Sequence, residues 1–447
     1  MSRTALWITL LTGCAALVAA ALLAPIGRST RTARPQSTGD TPDETASATD
    51  SDRNDAVAAA TSDRSNPPVE EPTALASDAA SATTADERPL IVDPPAHTPP
   101  GFVWIPGGTF RMGSAPPDEA NPHRIKHDEF PAHDVELDGF WMAETTVTNR
   151  QFDEFVRMTG HRTFAEIPPT PEELARSGAP VEAFRGKDLK AGSMCFNPGF
   201  SRRALVRQAQ QIPLWEYEVW HYVEGADWRH PEGPDSDLDG RWDHPVVHVS
   251  WEDAVAYCLW AGGELPTEAQ WEYAARGGLQ GALYPWGNER EPDGEYRCNY
   301  WQGTFPSQRL NLDGHEGACA VKSFPPNEFG LYEMSGNVWE WCADLFHDGY
   351  YAVSPRRNPP GPAVSHDQRE PRIIKRVTRG GSFLCNLNSC TGYRCAARMA
   401  SEFNSGTFHT GFRWVVNPGR RAEFDAAQRR IEAWRAAQTP ADAEMGS

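Results

Sequence analysis

The chain has 447 residues, with 42 Lys plus Arg against 61 Asp plus Glu and a formal charge of −19. That balance repels a phosphate backbone and excludes nucleic acid as a partner. Aromatic residues make up 10% of the chain and include 16 Trp, too many for a wholly disordered polymer, so part of the sequence must bury a dense core.

Residues 5–26 form an uncharged, mostly apolar run, long enough at about 1.5 Å per residue to cross a bilayer core of about 30 Å. The run predicts a membrane anchor or signal segment over residues 1–27. Arg3 precedes it and Arg28, Arg31 and Arg34 follow it, so flanking charge gives no orientation. Two processing routes stay open: an uncleaved or late-cleaved anchor, and cleavage after Leu11-Thr12-Gly13 with acylation of Cys14. Continuation of the apolar run past Cys14 favours the anchor.

Residues 28–97 are Ala, Ser, Thr, Asp and Pro with almost no aromatics, and residues 36–98 carry 13 acidic against 3 basic side chains. Such a composition cannot offset the entropy of ordering and predicts a disordered, charge-extended linker. An anchor followed by a long tether predicts an extracytoplasmic domain, in the periplasm of a bacterium.

At Phe102 the character changes, and aromatics then recur to about Val416, which places one folded domain over residues 98–418. Capping boxes predict three helix starts, at Thr148 with Gln151, Ser250 with Asp253 and Thr267 with Gln270, ending near Gly160, Gly262 and Gly277. On the second helix Trp251, Val255 and Cys258 share one face, which makes Cys258 a core residue. Elsewhere short apolar runs alternate with Gly, Pro, Asn and Asp, without strand–helix–strand alternation, so the fold class is α+β with much irregular structure. A last amphipathic stretch, 422–438, places Phe424, Ala427, Ile431 and Trp434 on one side and predicts a C-terminal helical tail over 419–447 that docks on the domain.

No C-x-x-C pair occurs among the nine cysteines, which leaves zinc knuckles and thioredoxin-type centres unsupported. Cys385, Cys390 and Cys395 recur at five-residue spacing in the polar segment GGSFLCNLNSCTGYRC. A disulfide and a soft two-thiolate site for Cu(I) are both open from spacing alone. DSDLDG begins like a calcium loop but has Val246 where a bidentate Glu belongs, and His123, His127 and His133 lie in a charged loop that reads as solvated surface.

FVWIPGGTFRMGS, ADWRHPEGPDS, HPVVHVSWEDAVAYCLWAGGELPTEAQWEYAARGG, YPWGN, GLYEMSGNVWEWCADL, RGGSFLC and GFR resemble, in order and spacing, the formylglycine-generating enzymes, or sulfatase-modifying factors, over about residues 100–416. The resemblance implies a single catalytic domain of the C-type-lectin-like class and a copper- and O2-dependent oxidation of a sulfatase cysteine, in a Cys-x-Pro-x-Arg type segment, to Cα-formylglycine. It assigns Cys385 and Cys390 as the redox pair and copper ligands, Ser382 and Trp339 to the active site, and Arg398 and Arg413 to the substrate groove. Calcium would lie at Asn299, the Tyr300 carbonyl, Asp313 and the His315 carbonyl, and again at Glu333, the Gly336 and Val338 carbonyls and Glu340. Sulfatase polypeptides would be the partners, an external thiol the reductant, and the protein a monomer.

This chain also departs from the family. Asn386 and Ser389 stand where His and an aromatic are common. Ala275 and Trp414 replace cysteines of the eukaryotic disulfides, leaving Cys258 and Cys395 without those partners, and neither residues 161–222 nor Cys195 acquires a role. The rivals are a calcium-stabilised lectin-like binding module, which would not need Cys385 and Cys390, and an iron sulfoxide synthase, whose His cluster has no counterpart in residues 28–97, where His97 stands alone.

Overall fold

The computed structural model describes residues 89–115, 126–175, 181–197, 219–387 and 390–444. The expected anchor with Cys14, nearly all of the acidic linker, His123 and Ser389 lie outside the described residues.

Two small sheets form the frame. β1 (Phe102–Ile105), β4 (Phe140–Ala143) and β11 (Val415–Val416) make an antiparallel sheet with β4 in the centre. Every residue of β4 is buried, as expected of a central strand covered on both faces. β7 (Trp339–Leu345), β8 (Lys375–Arg379) and β9 (Arg398–Glu402) form an antiparallel meander, and β10 (Thr410–Gly411) joins β7 in parallel. Two hairpins stand apart, β2 (Gly108–Met112) with β3 (His133–Leu137) and β5 (Gly192–Phe196) with β6 (Trp220–Glu224).

The three expected helices are α1 (Asn149–Thr159), α2 (Trp251–Ala261) and α3 (Glu268–Arg276). Thr148, Ser250 and Thr267 each accept from the third helical amide, and that residue's side chain accepts from the cap's own N–H. The helices end at Gly160, Gly262 and Gly277 with φ of 70°, 87° and 57°, the left-handed geometry that releases the last carbonyls at least cost to glycine. α4 runs from Arg421 to Glu444 and buries Phe424, Ala427 and Ile431, Phe424 in the cluster that holds Tyr257, Cys258 and Trp414. Among the described residues no helix is long and apolar enough to cross a membrane.

Buried ion pairs, not apolar contact alone, tie α3 to the second sheet. Glu268 receives Arg398 at 2.7 and 2.8 Å and Arg379 at 2.9 Å, and Glu272 holds Arg379 and Arg276 at 2.5 and 2.7 Å. All five side chains are at most 3% exposed. Coulombic attraction to the two arginines holds the Glu272 carboxyl below its ordinary range despite burial.

Candidate active site

Gly380 and Gly381, at φ of 90° and 74°, turn the chain sharply off β8 and deliver Ser382 and Cys385 to a shared interior point. The loop closes on itself. The Cys385 amide donates to the Ser382 carbonyl at 2.8 Å, and Asn386 and Cys390 exchange backbone bonds at 2.7 and 3.2 Å. Cys385 and Cys390 are thereby brought together as a disulfide, with Cα atoms 4.7 Å apart. Cys385 is 1% exposed, whereas Cys390 is only partly buried, so one sulfur faces the interior and its partner lies nearer solvent.

The walls are aromatic. Trp339, Tyr284, Tyr300 and Tyr393 cluster with Cys385, and a Cβ built on Gly392 would come 2.4 Å from the Trp339 ring and 3.0 Å from Cys385 Sγ. Only glycine lets that indole lie against the sulfur. The Ser382 amide donates to Cys385 Sγ at 3.4 Å, and Ser382 Oγ lies 3.1 Å from His409 Nδ1. Burial pushes the His409 imidazole down to about 3, which keeps it neutral at physiological pH. The hairpin β5–β6, drawn from the stretch for which the sequence suggested no role, completes the wall: the Trp220 ring lies 4.9 Å from His409, and Phe196 packs on Phe408 and Trp301. Cys195, on the same hairpin, is a buried thiol pushed up to about 12 by burial.

The other cysteines among the described residues separate cleanly from the pair. Cys195, Cys258, Cys298, Cys319, Cys342 and Cys395 are free and buried, and burial raises the thiol of each.

Arg398 and Arg413 require a correction. Both are buried ion-pair partners, 1% and 0% exposed, and neither faces a groove. Arg398 forks onto Glu268 and reaches the Asp128 carbonyl at 3.0 Å; Arg413 forks onto Glu340 at 2.6 and 2.7 Å and reaches the Tyr332 carbonyl at 2.8 Å. A guanidinium whose fork is already filled inside the protein has no geometry left for a peptide substrate. His409, Gly392 and Trp220 are the site residues that motif reading missed. The first lies in FHTGFR, two residues before the recognised GFR.

The two expected calcium sets meet where Asn299 bridges Gly336. In the first, Asp313 accepts from the Tyr300 and His315 amides at 3.1 Å each, and the Gln302 side-chain nitrogen contacts both Asp313, at 2.7 Å, and the Tyr300 carbonyl. Those two oxygens therefore converge on one point. In the second, Glu333 accepts the Lys322 and Phe324 amides and burial raises its carboxyl, but both Glu340 oxygens are held by Arg413, with Trp271 also donating at 2.7 Å. His127 and His133 are not drawn into any metal-ligating group found among the described residues. The DSDLDG row forms a local turn, with the Asp239 amide on Asp237.

Residues 87–418 match the sulfatase-modifying factor enzyme 1-like domain. A protein of Thermomonospora curvata named formylglycine-generating enzyme is 45% identical over 325 residues, covering 72% of this chain and 96% of that one. A mouse protein of the same name is 41% identical, covering 75% and 78%. A bovine protein named inactive C-alpha-formylglycine-generating enzyme 2 is 36% identical, covering 71% and 89%. The chain described here is a member of the sulfatase-modifying factor family.

Proposed function

We propose that this chain oxidises a cysteine in a sulfatase segment of the Cys-x-Pro-x-Arg type to Cα-formylglycine, using copper and O2 at Cys385 and Cys390. Because the family includes a relative named inactive, membership alone does not supply the activity. The reading rests on the pair itself: two sulfurs held in bonding range beside Trp339, Ser382 and Gly392. A lectin-like module has no use for that arrangement.

The donor set suits the metal. Two sulfurs in an aromatic enclosure favour soft, low-coordinate Cu(I), whereas a structural zinc would want four ligands. Bound copper supplies a soft acceptor for the substrate thiolate and one-electron chemistry with O2. The chain's residues do the rest. An external thiol must first open the disulfide. The Ser382 amide, aimed at Cys385 Sγ, favours the thiolate over the thiol. Trp339, packed on Gly392, limits the volume beside the sulfur and excludes water. Neutral His409 fixes the Ser382 hydroxyl.

The substrate carbon exchanges its C–S bond for C=O. One peptidyl cysteine, one O2 and two reductant thiols give one aldehyde, one hydrogen sulfide, one water and one reductant disulfide. With Arg398 and Arg413 buried, we assign substrate reading to backbone bonding of an extended peptide and to side-chain pockets. Calcium, as a structural ion, would be held by Asn299, Asp313 and the Tyr300 and His315 carbonyls, whose hard oxygens fit it. Glu333 and the Gly336 and Val338 carbonyls are assigned to a second ion, with Glu340 shared with Arg413.

The test is incubation of the full-length chain with Cu(I), O2, a thiol reductant and a Cys-x-Pro-x-Arg peptide, beside Cys385→Ala and Cys390→Ala, read by mass spectrometry and aldehyde trapping. Aldehyde from the wild type and none from either variant is the expected result. Folded wild-type protein that forms no aldehyde at any copper loading would overturn the reading. We further propose that residues 1–27 tether the domain to a membrane on its extracytoplasmic side; digestion of the domain by protease in intact spheroplasts is expected, and protection there would refute it.

A further inference from the structure

Outside the cysteine pair, His347, Asp348 and His366 place three ligand atoms within 4.8 Å of one another. The two histidines come from loops on either side of a long excursion between β7 and β8, and the backbone clamps them together. His347 and His366 form a parallel bridge, the His366 amide donates to the Phe346 carbonyl at 2.9 Å, and the Asp348 amide donates to the His366 carbonyl at 3.2 Å. The juxtaposition is therefore set by main-chain bonds and not by the side chains themselves.

The side chains are also oriented. The Gln368 amide holds Asp348 Oδ2 at 2.9 Å, leaving Oδ1 toward the imidazoles, 2.7 Å from His366 Nδ1 and 3.7 Å from His347 Nδ1. The Gly349 amide donates to His347 Nδ1 at 3.0 Å, which requires a lone pair on that nitrogen and places the proton of neutral His347 on Nε2. The inward nitrogen is thus already the acceptor form a metal needs, although an ion must displace this amide. Around a tetrahedral ion with bonds of about 2.0–2.1 Å, donors sit roughly 3.4 Å apart, so the two observed separations bracket the required one.

We propose that His347, Asp348 and His366 form a second metal site, for a borderline divalent transition-metal ion of the zinc class. Two imidazoles and one hard carboxylate lack the thiolates that select Cu(I) and offer too few oxygens for calcium, so this site is chemically distinct from those at the cysteine pair and at Asp313. Water completes the coordination, because His366 is 46% and His347 31% exposed while Asp348 is 14%. The bound ion clips residues 346–349 to 365–368. It does so beside β9, since Arg398 donates to the His347 carbonyl at 3.3 Å. The proposal stands or falls independently of the oxidase reading.

The experiment is calorimetric titration of Zn2+ into the full-length, tag-free chain without reductant and in excess Ca2+, so that the cysteine pair remains a disulfide and hard-oxygen sites are filled. Co2+ absorption in the visible serves as the ligand-field readout. One equivalent of Zn2+ is expected, with affinity falling in His347→Gln and in His366→Gln by more than the about 10–100-fold typical of losing an outer partner. The Co2+ band should disappear in both variants and persist in His230→Gln, a control at a histidine that pairs with Asp227 and belongs to no part of this cluster. Should His347→Gln fail to fold, the more exposed His366→Gln carries the same comparison. No Zn2+ binding by the wild type, or equal binding by the folded variants, would reduce the cluster to a His366–Asp348 ion pair and overturn the proposal.

Discussion

Ser382 Oγ lies 3.1 Å from Nδ1 of His409, and the amide of the same serine points at Cys385 Sγ. One residue thus links a buried imidazole to the sulfur of Cys385. With His409 pushed down to about 3 by burial and by nearby His248, its ring stays neutral across the working range. His409→Phe should cut turnover by about 10–100-fold, as loss of an outer partner does, and His409→Gln should restore much of it. The same ring predicts acid sensitivity. It is neutral when folded and protonates near 6.5 when unfolded, so its stabilisation is complete above about 6.5 and drains away as pH falls toward 3. His248, at about 4, behaves alike. Each contributes about 2 kcal/mol of lost stability between pH 6.5 and 5. Urea unfolding at both pH values should show a smaller loss in His409→Gln; equal losses would contradict the assignment.

Gly392 makes a sharper claim, because its missing side chain is what lets Trp339 approach Cys385. Gly392→Ala would set a methyl 2.4 Å from the indole and 3.0 Å from the sulfur, displacing one of them. Overpacking of this kind costs about 1–3 kcal/mol of stability. Activity should fall much further than stability, through kcat. A folded variant with unchanged kcat would mean that the indole does not shape the reacting site.

How far the sequence reached follows from the kind of information each feature carries. The helix boundaries at Thr148, Ser250 and Thr267 were legible because capping is local, a matter of side chains three residues apart. The pairing of Cys385 with Cys390 was visible as spacing, yet spacing alone favoured an ordinary disulfide or buried thiols over a metal site. Arg398 and Arg413 were misplaced because a surface arginine and one locked on Glu268 or Glu340 look the same in one dimension; the partners lie 130 and 73 positions away. His409 and the hairpin at 192–196 and 220–224 escaped for a related reason. Their contribution is purely tertiary, and no local period announces it.

Asp344 supplies an opposite pH signature. Its carboxylate accepts the Glu268 amide at the start of α3 at 2.8 Å, and burial next to Glu268 pushes its pKa up to about 7. Folded protein therefore holds a proton that the unfolded chain releases near 4, so this group's stabilisation is full below about 4 and is lost as pH rises to about 7. Asp344→Asn keeps an acceptor for the Glu268 amide without the charge. It should stabilise the protein at pH 8 by on the order of 2–4 kcal/mol and leave stability at pH 4 nearly unchanged. Thermal or urea unfolding at the two pH values checks this, and a variant less stable at pH 8 would show that the carboxylate is ionised and wanted there.

Glu340 and Arg413 test whether the second expected calcium set needs an ion at all. Their bidentate pair is fully buried, so Glu340→Gln strands a guanidinium and should cost about 3–5 kcal/mol. Glu340→Leu combined with Arg413→Met removes both charges and should recover most of that loss, because neither desolvation penalty remains. A calcium ion bound through Glu340 changes the arithmetic: the double variant then loses the ion's contribution while the pair's cost disappears. Unfolding of wild type, single and double variants, each with saturating Ca2+ and with EGTA, separates the two roles. If Arg413 is the principal partner of Glu340, the double variant retains most of the wild-type response to Ca2+, which then comes from Asn299 and Asp313. Loss of that response in the double variant would instead make Glu340 the calcium ligand on which the fold depends.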